Sequence, residues 1–401
     1  MVEKSKKLLE FEGLRGIAAM MVVFAHIMLT FFVDMDLHLI EWFKSLPWPL
    51  NKIARVCVHT FFDGSFAVFV FWTMSGFVLS LRFFSYARDG IDDKARHYVA
   101  MAAFRRYPRL FIPVFVSVLF GWVLLEAGLI KNRELAAVLG PDYQKWLGSA
   151  MPFEPSILHA LGSAIWESFF NFEAATSYNA VLWTIELEFF GSFFIFAFLA
   201  LIGGLRVRYL AYPLLFAIIW ALQLHWLNAF LGGLILSDWY VNREDFMSRV
   251  PAGLLKVYDR LRNSPIVFLM VAGVLWIFIG MINYWNVLHL LLSIATLFVL
   301  MEMPLAARVF SSRIPVFLGK ISFGLYLAHL PIVYSLSCGL YLGLYKQLGH
   351  IPTVFVCALV TIVASVLGGY LMYRFADRPS IGISKRLAAA AFGFADRGRG
   401  S

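Results

Sequence analysis

Five short segments carry side chains able to move a proton or hold an anion. Arg15 and His26 share one apolar run, Gly13 to Val33. Eleven residues make three helical turns plus roughly 20°, so the two point the same way, about 16 Å apart along the axis. An imidazole is suited to take a proton near neutral pH; a histidine simply bonded to a neighbouring helix is the alternative. Arg105–Arg106–Tyr107–Pro108–Arg109 puts Arg106 and Arg109 on one face. With Pro108 read near a helix start, the pair makes a fork for phosphate oxygens; plain cationic flanking of a membrane helix is the other reading. Glu186 and Glu188 are two residues apart, about 200° on a helix, so only one can face a given cavity. Ser75 and Gly76, in Thr73–Phe77, read first as small residues for close packing. A nucleophilic Ser75 would lack the usual G-x-S-x-G elbow. Ser322, Tyr326 and His329 form a polar stripe on the otherwise apolar Ile321–Pro331, either lining a cavity or packing as a network. Cys57, Cys338 and Cys357 have neither metal-ligand nor disulfide-framework spacing and read as apolar filler. No metal and no bound cofactor is expected.

These groups need elements to hold them, and the composition says which. The chain has 401 residues, 61% hydrophobic and 15% charged, with mean hydropathy +0.76. A soluble domain is about a quarter charged. The apolar residues come in runs near the roughly 20 needed to span a bilayer, not as the alternating strands of about ten residues of a barrel. The fold class is therefore all-α and polytopic, with about ten transmembrane helices near 13–33, 62–82, 105–129, 180–203, 209–225, 226–240, 264–281, 286–302, 320–342 and 352–376. Trp226–Asn228 reads as the turn between the fifth and sixth. With both termini cytoplasmic, only seven of the 34 Lys and Arg fall in outside loops: Lys44, Lys52, Arg55, Lys131, Arg133, Lys145 and Lys346. That bias is the positive-inside rule, so the net charge of +9 points to membrane topology and not to nucleic acid.

Lys4, Lys6 and Lys7 precede a first helix read as retained, since no cleavage site follows it. Two long outside segments are expected: 34–61, carrying Trp42 and Trp48, and 130–179, in which Ile157–Phe172 lies on the membrane surface or dips into it. Inside, Leu254, Leu255 and Val257 among Arg249, Lys256, Arg260 and Arg262 read as an amphipathic surface helix within 241–263. Residues 1–387 read as a single transmembrane domain and 388–401 as a disordered tail.

Taken in order, the segments resemble the acyltransferase-3 family of membrane O-acyltransferases over roughly residues 10 to 385. Leu14–Arg15–Gly16 leading to His26 resembles its Arg, ten residues, His signature. Phe71–Phe77 is similar to its second-helix motif, and Arg106 with Arg109 to its Arg-x-x-Arg. Trp183, Thr184 and Glu188 resemble its Trp-Ser/Thr with a later Glu, which favours Glu188 over Glu186. Ser322, Tyr326, Leu327, His329 and Pro331 resemble its ninth-helix motif. Phe69 departs from a commonly polar position, and Asp377 stands where Glu is usual. The resemblance implies an acyl-CoA donor, usually acetyl-CoA, entering from the cytoplasm, and a hydroxyl acceptor. That acceptor would be a cell-envelope carbohydrate or a small molecule, and the location the cell membrane, the inner one if Gram-negative. It implies His26 and Glu188 as catalytic, His26 as general base or as carrier of the acyl group and Glu188 orienting or charge-balancing it. Arg15, Arg106 and Arg109 would bind the donor, and Ser75, Trp183, Ser322, Tyr326 and His329 would line the cavity. A secondary transporter would also bury Arg, His and Glu, but it often shows paired repeats, and none is visible.

Overall fold

The computed structural model describes residues 8–32, 47–88, 93–281 and 287–398. Lys4, Lys6, Lys7, Trp42 and Lys44 lie outside the described residues, as do the side chains of Arg55 and Cys57. All regular structure among the described residues is helical. In chain order the helices are α1 (Leu9–Phe31), α2 (Leu50–Phe61), α3 (Gly64–Ala87), α4 (Asp93–Glu126), α5 (Asn132–Leu139), α6 (Ile157–Gly162), α7 (Trp183–Phe198), α8 (Arg208–Ala221), α9 (His225–Met247), α10 (Ala252–Arg262), α11 (Pro265–Met281), α12 (Val287–Glu302), α13 (Pro304–Phe310), α14 (Arg313–Ile332), α15 (Cys338–Leu348), α16 (His350–Met372) and α17 (Arg378–Gly398). Wider-wound turns extend α7 through Leu199–Gly203, join α14 to α15 through Val333–Ser337 and join α16 to α17 through Tyr373–Asp377.

Each of the ten expected apolar stretches falls on a helix, and among the described residues length and composition alone mark six to eight as membrane spans. Six helical stretches among the described residues are long and apolar enough: Leu9–Phe31, Gly64–Ala87, Asp93–Glu126, Ala180–Gly203, Arg313–Leu348 and His350–Gly393. Two bent pairs, α10 with α11 at 70° and α12 with α13 at 100°, raise the number to as many as eight if each pair is one span. α8 has only 14 residues. α9 has the length but dilutes its apolar residues with Asn228, Ser237, Asp238 and Asn242. The 70° bend after α10 fits the expected surface helix, which keeps Leu254, Val257 and Leu261 exposed beside Lys256 and Arg260.

Three local expectations are corrected. α4 begins at Asp93, about a dozen residues before the expected start, so Pro108 and Pro113 lie inside it. Each interior proline removes one i→i−4 hydrogen bond, and the long apolar continuation keeps the helix going. The break before α9 falls at Leu222–Leu224, where Gln223 takes φ 60°, and not at Trp226–Asn228. Residues 388–398, expected as an irregular tail, continue α17; Ala388–Ala391 is the strongest helix-forming run available.

The chain divides into two compact units. Unit 1 comprises 1–21, 55–100 and 191–320. Its tightest pairing is α3 with α9. A side chain at Gly76 would meet the Phe230 carbonyl, and one at Gly233 the Thr73 carbonyl. Only glycine lets these backbones close up, the small-residue packing of membrane helices. Thr73 Oγ1 meets Ser293 Oγ at 2.8 Å, which ties α12 to α3. Asp63 caps α3 by accepting from Phe66 N at 2.9 Å. Unit 2 comprises 22–54, 101–190 and 321–401. There Gly324 faces the Gly369 carbonyl and Gly369 faces the Leu325 backbone, bringing α14 against α16.

Candidate active site

Unit 2 gathers His26, Arg106, Arg109, Glu188, Tyr326 and His329. Its spine is α14, whose Phe323, Tyr326 and His329 recur every three residues and stay near one face. Each of the three meets a different helix.

His329 is fully buried and faces His26 of α1, with His329 Nε2 3.2 Å from His26 Nδ1. The backbone decides where the protons sit. His329 Nδ1 lies 2.7 Å from the Tyr326 carbonyl oxygen. A carbonyl only accepts, so this nitrogen carries hydrogen and Nε2 of the neutral ring is a bare acceptor. His26 Nδ1 lies 2.9 Å from the Val22 carbonyl and carries hydrogen by the same logic. Its N–H is shared between Val22 O and His329 Nε2. The lone pair of His26 is therefore on Nε2, and the ring is only half-buried. This leaves a base or nucleophile with a fixed tautomer. Thr30 Oγ1 donates to the His26 carbonyl at 2.7 Å and secures that turn of α1.

One turn before His329, the Tyr326 hydroxyl meets Thr184 Oγ1 at 2.8 Å and donates to Val181 O at 2.9 Å, joining α14 to the start of α7. Asn179, fully buried, donates from Nδ2 to Ser117 Oγ and to the Leu327 carbonyl, both at 2.8 Å. Ser117 Oγ also donates to Leu327 O at 3.1 Å. These polar groups lock α4, α7 and α14 together beneath the histidines.

The arginines lie further along the same spine. Arg109 sits over the Phe323 ring at 5.9 Å. His329 is six residues on, about 9 Å by helix rise. Arg109 Nη1 pairs with Asp377 Oδ1 at 2.7 Å and donates to Ser380 Oγ at 2.7 Å. Arg106 pairs with Glu188, both side chains largely buried. Glu188 is one turn beyond Thr184 on α7, about 6 Å. The opposite orientation expected for the two glutamates is observed: Glu186 Oε2 accepts from Phe172 N at 3.3 Å while Glu188 faces Arg106. The side chain meeting His26 Nδ1 is thus His329, and Glu188 pairs with Arg106.

Trp183 is half-buried at the head of α7, and Ser322 is buried on α14. Arg15 and Ser75 belong to unit 1. There Arg15 Nη2 donates to the Gly319 carbonyl at 2.8 Å, and Ser75 is half-buried beside the Gly76 contact. Arg15 and His26 share the unbroken helix α1.

Sequence reading missed Asn179, Ser117 and Trp146. The Trp146 ring lies 5.9 Å from His26 and 5.9 Å from Tyr334. Nothing in the sequence marks them, because a polar residue between helices looks the same whether it binds water or a distant backbone. Asp377 was visible only as a departure from the family pattern.

The acyltransferase-3 family model, described as an acyltransferase domain, matches residues 8–374. The O-acetyltransferase PaAT-1 of Phomopsis amygdali is 22% identical over 430 aligned positions, spanning 93% of this chain and 83% of the relative. No solved structure matches. With Arg15, His26, Arg106, Arg109, Glu188 and His329 all inside the matched span, the chain belongs to the acyltransferase-3 family of membrane acyltransferases.

Proposed function

We propose that this protein moves an acyl group, acetyl by default, from acyl-CoA to a hydroxyl of a cell-envelope carbohydrate or related small molecule. The observation that carries the proposal is the half-buried His26, its Nδ1 committed to Val22 O and His329 and its Nε2 bare. In the reaction Nε2 takes the proton of the acceptor hydroxyl. The oxygen attacks the thioester carbonyl, the C–S bond breaks, and the proton passes to the departing thiolate. The products are the ester and free coenzyme A. While Nε2 holds the proton, the imidazolium keeps its Nδ1–H directed at His329 Nε2, which steadies the charge where water is scarce.

Arg106 and Arg109 form the donor level. Glu188 and Asp377 hold the two guanidiniums in place, and this paired cationic level would receive the donor's phosphate oxygens. The phosphates then sit toward the start of α14, and the acyl-bearing arm points along it to His26. With the N-terminus cytoplasmic, that start is the cytoplasmic end. A donor-binding role for Arg15 rests on the family's motif alone. The name of the Phomopsis relative supports acetyl transfer to oxygen.

The test is thiol release from acetyl-CoA by detergent-purified protein given a membrane extract as acceptor. Release that needs the extract and vanishes in His26→Ala supports the proposal. Undiminished release in His26→Ala contradicts the role of His26. Binding of acetyl-CoA with no release under any acceptor favours a carrier.

A further inference from the structure

Between α4 and α7, the chain builds a small layer from α5 and a wider-wound turn, Gln144–Gly148. This layer is pinned down unusually firmly. Asn132, fully buried, donates from Nδ2 to Leu147 O at 2.6 Å and to Ala150 O at 3.0 Å. Lys131 N donates to the Tyr334 carbonyl at 2.8 Å. The Tyr143 hydroxyl donates to Phe31 O, at the end of α1, at 3.0 Å. The two carbonyls clamped by Asn132, at Leu147 and Ala150, hold the backbone that directly follows Trp146. Turns of this wider type recur at functional sites. Tyr334, which meets the same indole, is 1% exposed, whereas Trp146 keeps part of its surface open. An indole serving only as core filler has no need of an open surface, nor of a clamped backbone that aims it at an imidazole.

We infer that Trp146 is the acceptor platform: a hydroxyl-bearing saturated ring packs its C–H face on the indole and thereby presents a rim hydroxyl to His26 Nε2. This rests on the acyl-transfer reading above. A pyranose or similar ring has an apolar face and polar edges, and an aromatic face suits the first while leaving the second free. A linear polyol has no such face and gains little from the indole. The sequence places residues 130–179 outside, so acceptor and donor reach His26 from opposite ends. Trp146 is a specificity residue that positions the acceptor, with His26 doing the chemistry.

The experiment uses purified full-length protein, acetyl-CoA labelled in the acetyl group, and graded amounts of membrane extract. It compares wild type, Trp146→Ala and Trp146→Phe. Trp146→Ala is expected to need about tenfold more extract for half-maximal labelling. Trp146→Phe, which keeps an aromatic face, stays within about threefold of wild type. Acetyl-CoA raises the melting temperature of all three alike, showing folded protein with an intact donor level. Equal half-saturation in Trp146→Ala and wild type overturns the platform. So does loss of donor protection in both variants, which would make Trp146 a structural residue. No labelled product from wild type overturns the acyl-transfer reading itself, and the platform with it.

Discussion

Two backbone carbonyls, Val22 O and Tyr326 O, fix both tautomers of the histidine pair and so decide which nitrogen of His26 keeps its lone pair. His329 should then act on turnover and hardly on acceptor affinity. His329→Ala is expected to lower kcat by about 10²-fold or more with KM for extract nearly unchanged. His329→Gln, which offers an oxygen acceptor to His26 Nδ1–H, recovers part of that loss; equal losses in the two variants would refute the positioning role. The Arg106–Glu188 pair makes a separate expectation. Removing one partner leaves a charge stranded in a largely buried place, at about 3–5 kcal/mol. Glu188→Ala should therefore melt well below wild type, while Arg106→Met with Glu188→Leu recovers stability but loses protection by acetyl-CoA. Thermal melts with and without acetyl-CoA check both. At this scale the residue types were legible and the pairings were not. Spacing placed Arg106 with Arg109 and separated Glu186 from Glu188, because both follow from helix geometry. It gave no means of choosing His329 over Glu188 as the neighbour of His26, because that choice depends on which helices pack together.

Helix contacts in both units are set by glycines that admit a bare backbone. Valine at Gly76 or Gly233 would drive a side chain into a carbonyl of the facing helix, so each change is expected to separate α3 from α9 and sharply reduce the yield of folded protein in detergent. Near-normal yield and melting temperature for both variants would show that the pair tolerates a wider spacing. Asn179→Ala tests the lock beneath the histidines. It leaves Ser117 Oγ and the Leu327 carbonyl with only their mutual bond, and it should destabilise by about 1–3 kcal/mol without abolishing donor protection. The existence of most elements was readable from their apolar runs. Their ends were not: α4 starts at Asp93 because a polar, basic segment is helical too, and hydropathy is silent about helices that leave the apolar layer. The interior position of Pro108 and the helical course of 388–398 were missed for the same reason.

For the molecule as a whole, the proposed entry of donor and acceptor from opposite sides rests on the sidedness expected from the charge bias. Single cysteines, in a background with Cys57, Cys338 and Cys357 replaced by Ala, are expected to label from outside at Asp142 and only after permeabilisation at Lys256. The reverse pattern would invert the proposed route of the donor. Composition was enough for the class, since 61% hydrophobic residues in runs leave few alternatives. It was not enough for the span count, which depends on whether a bent pair such as α12 and α13 crosses or folds back. The measurement that bears most directly on the central claim is transfer of labelled acetyl from acetyl-CoA to a covalent product by purified wild-type protein and by His26→Ala. The expected result is extract-dependent product from wild type and none above background from a folded His26→Ala that acetyl-CoA still protects. Comparable product from both would contradict the account.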